Sequence, residues 1–170
     1  MRATAKRHVS RQTELERARK GPVEFQLYKE RKSARSTASH ATLMRLGLRP
    51  IGMLQGFHVF HVNCERVRNL LDPDFCMGSH YAHSRFIPHG QIWVSAILSP
   101  TDLMPLLVHE AVETWWMTRN GWTYERAHDR ATMFETALRK QVVKGGIKPR
   151  NTNEAMQLAR TATQQILSQP

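Results

Sequence analysis

The stretch Leu106-Leu107-Val108-His109-Glu110-Ala111-Val112-Glu113, continued by Thr114-Trp115-Trp116, decides how this chain is read. Apolar residues flank the charged ones on every side, so a helix here is mostly buried. His109 and Glu113 are four apart, which sets them one turn from each other on one helical face. Buried His and Glu are costly unless they bind a metal or one another. Ser99, Pro100 and Asp102 mark the start of this helix in the manner of a capping box, predicting a span of about Thr101–Arg119. Pro105 conflicts with that start: either the helix begins at Asp102 or its first turn is kinked.

A second helix is predicted over Tyr124–Val143, after the short Asn120-Gly121 connection that makes the two antiparallel neighbours. It places His128 and Glu135 seven residues apart, nearly two turns, and so on a common face. His109 and Glu113 resemble the first half of an H-E-x-x-H zinc motif with the second His replaced by Glu, whose carboxylate is also a competent zinc ligand. His128 supplies a third ligand, and Glu135 is either a fourth or a carboxylate that holds an imidazole. Glu110 stands where a general base would activate a metal-bound water. The expected cofactor is Zn2+. The competing reading is a metal-free His–Glu hydrogen-bond network tying two helices together.

Working outward, Phe57-His58-Val59-Phe60-His61-Val62 alternates and reads as a strand. Asn63 caps a short helix through Leu71, Asp72-Pro73-Asp74 and Met77-Gly78-Ser79 read as turns, and Tyr81–Ile87 reads as a second strand. Gln91–Leu98 is the clearest strand in the chain. Gly145-Gly146 ends the second long helix, and Asn153–Leu167 is expected as a peripheral helix. The fold class is therefore α+β: a small sheet packed on a helix pair. The domain organisation reads as an arm over 1–50, a metal-binding domain over 51–146, and a C-terminal linker and helix over 147–170.

The arm is defined by charge. Residues 1–50 hold thirteen Lys and Arg against four Glu, a net of +9, while the other 120 residues net +2. Pro22 can open a helix within the arm that runs to about Leu46. Such an arm suits the phosphates of a nucleic acid or an acidic protein surface, or serves as a solubilising tail. Its sparse aromatics, Phe25 and Tyr28, argue against base stacking. No apolar run approaches the roughly 18–20 residues of a membrane span, and no signal-peptide core precedes the arm. The expectation is an intracellular protein, cytoplasmic in a host cell or associated with a virion. Two Cys in 170 residues exclude a disulfide scaffold. Cys64, Cys76, His80 and His83 could form structural zinc, but eleven residues separate the cysteines where a finger knuckle has two to four. His80 is expected near the mouth of the site, with His58, His61, His83 and His89 as ordinary strand or loop residues. Trp93, Trp115, Trp116 and Trp122 read as packing aromatics.

Asp72-Pro73-Asp74-Phe75-Cys76-Met77-Gly78-Ser79-His80, Arg85-Phe86-Ile87-Pro88, Gln91-Ile92-Trp93-Val94, His109-Glu110-x-x-Glu113, Tyr124-x-x-Ala127-His128 and Glu135 together resemble a little-characterised family of bacterial and phage proteins. Its signature is H-E-x-x-E … Y-x-x-A-H-x-x-A-x-x-x-E, and the resemblance covers about residues 55–136. It implies a minimal, zincin-like metallopeptidase domain, with an edge strand feeding the metal-binding helix, and a phage origin. Where acids would flank the Ile-Trp pair, this chain has Gln91 and Ser95.

The functional expectation is a zincin-like, zinc-dependent hydrolase of the peptidase type, with Glu110 as base and the Gln91–Ser95 strand aligning an extended peptide. A body of about 90 residues leaves little room for a substrate cleft. The alternative is a non-enzymatic virion or assembly protein whose arm binds nucleic acid or a neighbouring subunit. A third reading is a small nucleic-acid-binding regulator.

Overall fold

A computed structural model describes residues 39–169. In chain order these form α1 (His40–Arg45), β1 (Arg49–Leu54), β2 (Phe57–Val62), α2 (Cys64–Leu70), β3 (Gly78–His80), β4 (Gln91–Ser95), α3 (Pro100–Arg119), α4 (Tyr124–Val143) and α5 (Thr152–Leu167). Each helix starts where a short polar side chain can accept an orphan backbone N–H. Ser39, Asn63, Ser99, Thr123 and Asn151 accept from the amides of Thr42, Arg66, Asp102, Arg126 and Glu154. The architecture is α+β, with four strands in the order β1-β2-β4-β3. No helix among the described residues is long and apolar enough to cross a membrane.

β1 and β2 form a hairpin whose two turn residues, Gln55 and Gly56, both have positive φ (52° and 85°). That is the type I′ geometry matched to the twist of paired strands. β2 runs parallel to β4, with Phe60 opposite Trp93, and β4 runs antiparallel to β3, with Ser79 opposite Trp93. Strand alternation then sorts side chains onto two faces. Val59, Ile92 and Val94 face Leu103, Leu107, Val108 and Val112 of α3. Val62 and Trp93 face Val67, Leu71, Phe75, Phe86 and Leu46. The apolar body of α3 thus lies along one face of the sheet, and α2 with its following loop covers the other.

Several expectations change. The helix over Thr101–Arg119 begins instead at Pro100, where a missing N–H costs nothing, and Pro105 sits in its second turn. Arg49 and Pro50, expected in the arm, belong to β1. An edge strand tolerates a proline, and the register shift between Pro50 and Gly52 breaks the alternation that would have announced a strand. Tyr81–Ile87 is not a strand: His80 O accepts from both His83 N and Ser84 N, which closes the chain into turns. The strand lies just before it, at Gly78–His80, where a turn was expected. The helix proposed from Pro22 falls within the described residues only at its end, as α1. The C-terminal helix is not peripheral. Ala155, Met156 and Ala159 are buried in the same cluster as α3, and Met156 closes over Gly52 of β1.

Met156→Ala is expected to cost about 2–3 kcal/mol in urea unfolding, whereas Met133→Ala, on a residue 60% exposed, should cost less than about 0.5 kcal/mol. Equal effects would mean that α5 does not complete the core.

Candidate metal centre

α3 is long, buried without a break from Leu103 to Thr114, and wedged between sheet, α4 and α5, so His109, Glu110 and Glu113 are carried inside with its apolar residues. Gly121, at a φ of 64°, turns the chain back into α4. Trp116 near the end of α3 stacks on Trp122, while Arg139 late in α4 reaches Asp102 at the start of α3, so the two helices are antiparallel. That pairing brings His128 over the His109–Glu113 turn.

Three atoms converge. Glu113 Oε2 lies 3.1 Å from His109 Nε2 and 2.8 Å from His128 Nδ1, and the two nitrogens are 3.2 Å apart. Ligand atoms around a tetrahedral zinc bonded at about 2.0–2.1 Å are about 3.3–3.4 Å apart. The observed triangle approaches one face of that tetrahedron, its two longer edges short by about 0.1–0.3 Å and its shortest by about 0.5–0.6 Å. His109, Glu113 and His128 form the group capable of holding a metal ion among the described residues.

Two of the three corners are held from behind. Glu113 Oε1, the oxygen turned away from the triangle, accepts from His80 Nε2 at 2.6 Å; a carboxylate cannot donate, so the imidazole does. His109 turns Nδ1 to Glu135 Oε2 at 2.8 Å. That ring N–H is not aligned on the oxygen, so the contact is ionic and not a formed hydrogen bond. Glu135 in turn accepts from Arg139 Nε at 2.9 Å. Glu135 therefore stands as the carboxylate against an imidazole, outside the triangle. Tyr124, one turn before His128, stacks on His83 with ring centres 3.9 Å apart and brings its hydroxyl to 3.5 Å from His128 Nδ1.

The electrostatics follow from crowding. Burial alone would lower the His109 pKa, but the Glu113 and Glu135 carboxylates outweigh it and raise it to about 10. Burial would raise Glu113, yet bonds from His109 and His80 hold it well below the usual carboxylate range. Glu110 goes the other way. Burial, and then the negative charge of Glu113, push it up to about 8. Its carboxylate has no hydrogen-bond partner among the described residues, and one oxygen lies 2.7 Å from where a Cβ on Gly78 would be. Glycine at residue 78 leaves room for this carboxyl where it stands.

Sequence reasoning placed His109, Glu110, Glu113, His128 and Glu135, and the structure brings all five together. It missed His80, which is fully buried under Glu113 instead of at the mouth. The Gly78-x-His80 spacing, which turns both residues to one strand face, was the available signal. The Cys64, Cys76, His80, His83 set does not assemble: His80 is committed to Glu113, and the exposed Cys76 bonds its thiol to Asp74 O. The expected role of Gln91–Ser95 in pairing a peptide also fails, because β4 is bonded to strands on both sides. The edge is β3. Ser95 N bonds Met77 O and Tyr81 N bonds Gln91 O, so the ladder runs through residues 77, 79 and 81 and the backbone of Gly78 faces outward.

Comparison of the chain with protein-family models, curated proteins and solved structures finds no match.

His80→Ala removes the only donor to Glu113 Oε1 among the described residues and is expected to cost about 3 kcal/mol in urea unfolding with a chelator present. His58→Ala, on an exposed residue of β2, should cost less than about 0.5 kcal/mol. Equal losses would show that Glu113 does not depend on His80.

Proposed function

We propose that the protein is a zincin-like, zinc-dependent hydrolase of the peptidase type, with His109 Nε2, Glu113 Oε2 and His128 Nδ1 as the ligands. The observation that carries this reading is the triangle of 3.1, 2.8 and 3.2 Å with a separate partner behind both His109 and Glu113. A structural zinc site uses four protein ligands, whereas three leave a position for water, which is the composition of a catalytic site. The resemblance of the HExxE…YxxAH…E pattern to zincin-like domains points the same way. Zinc in such a site lowers the pKa of a coordinated water towards neutrality and polarises a substrate carbonyl.

The chain supplies the remaining parts. Glu110 is one residue from His109 and carries no competing hydrogen bond among the described residues. It is protonated near neutrality while its surroundings are only anionic, and a divalent cation beside it would return it to the ionised form a base needs. It would take a proton from the attacking water and deliver it to the departing amide nitrogen as the C–N bond breaks. The outward N–H and C=O of Gly78 offer an extended peptide a place to pair, and Gly78 touches Glu110. A peptide aligned there passes directly beside the base.

Elemental analysis should find about one equivalent of zinc in the purified protein, lost in both His109→Ala and His128→Ala. Glu110→Gln should keep its zinc and lose at least about 100-fold in peptide turnover. Retained turnover in Glu110→Gln would remove the hydrolase assignment. Zinc without turnover on any peptide would favour the assembly protein, and absence of zinc would reduce the cluster to a hydrogen-bonded helix pair.

A further inference from the structure

We propose a second binding site, separate from the His–Glu cluster, that takes the phosphodiester backbone of a nucleic acid. A cleft of about 570 Å³ opens where the start of β1, the first turn of α2 and the end of β4 meet, and Arg49, Arg66 and Arg68 line it. Arg66 also borders an adjoining cleft of about 470 Å³ with Arg45. The only acid in either lining is Glu65. None of the four arginines forms an ion pair among the described residues, in contrast to Arg139 and Arg150, which do.

Two of the guanidinium groups are held in place by backbone, not by carboxylates. Arg66 Nη1 donates to Arg45 O at 3.0 Å and Arg68 Nη1 donates to Phe75 O at 3.2 Å. Each contact uses one N–H of five and leaves the rest of a rigid fork for a phosphate, and Glu65 alone offsets the arginines of the larger cleft.

Length of charge selects a polymer over a single small anion. In sequence, eleven Lys and Arg precede residue 39, against four Glu, and the chain then runs through Arg45 to Arg49 at the cleft. No aromatic residue lines the cleft, so bases are not stacked there and binding is indifferent to sequence.

The test is fluorescence anisotropy of the full chain on a mixed-sequence DNA duplex across a salt series. Ile97 and Val143 are 82% and 86% exposed, and only Ile97 borders the cleft. Neither substitution removes packing, so Ile97→Glu and Val143→Glu place the same charge in the cleft and away from it. Ile97→Glu should weaken binding at least fivefold and Val143→Glu less than twofold. The triple variant R49A/R66A/R68A should flatten the slope of log K against log salt by about 2–3. Equal losses in the two glutamate variants, or an unchanged slope in the triple variant, would overturn the site. So would binding to polyglutamate but not to DNA with the same arginine dependence, which would assign the cleft to an acidic protein.

Discussion

A carboxylate cannot be carried into a protein interior without partners, and Glu113 is the group whose partners organise this one. It is 3% exposed, and the cost of burying an ion of that size is several kcal/mol even after relaxation. Three imidazoles answer it: His80 from β3, His109 from its own helix and His128 from α4. Each comes from a different direction, so satisfying one carboxylate requires the sheet edge to meet α3 and α4 to lie along it. Gly78 fits this packing, since a Cβ there would force the Glu110 carboxyl to move.

The same crowding separates two adjacent carboxyls into different states. Glu113 is surrounded by ring N–H groups and stays ionised, whereas Glu110 has burial and a like charge for neighbours and holds its proton to about 8. Paired carboxyls pushed apart in this way are characteristic of sites that do proton chemistry. Under the proposed function, the cation that joins the His109–Glu113–His128 triangle also brings Glu110 into its working form. The basic cleft lies on the α2 side of the sheet and draws on none of these groups.

The long helices, the Gln91–Ser95 strand and the five His and Glu of the cluster were legible because helical spacing and apolar flanks carry their own geometry. β1 was not, since Pro50 and a bulge hide its alternation and its identity as a strand comes from pairing with β2. β3 is three residues long and is defined only by β4, so Gly78 read as a turn residue. His80 was visible as a residue but not as a partner of Glu113, thirty-three positions away, because that contact exists only once the sheet edge docks on α3. The role of Glu135 was left open between ligand and support. The structure sets it against His109 Nδ1, the ring nitrogen outside the triangle, a detail that spacing alone does not contain. The burial of α5 has a related reason: apart from Met156 its buried face is Ala155, Ala159 and Thr163, small residues that carry little hydrophobic signal.

The most direct measurement is anomalous diffraction at the zinc edge from crystals of the intact protein grown with zinc. The account predicts a single strong peak about 2.0–2.2 Å from His109 Nε2, Glu113 Oε2 and His128 Nδ1, with His80 still donating to Glu113 Oε1. No peak at that position, or a peak held instead by Cys64 and Cys76, would contradict it.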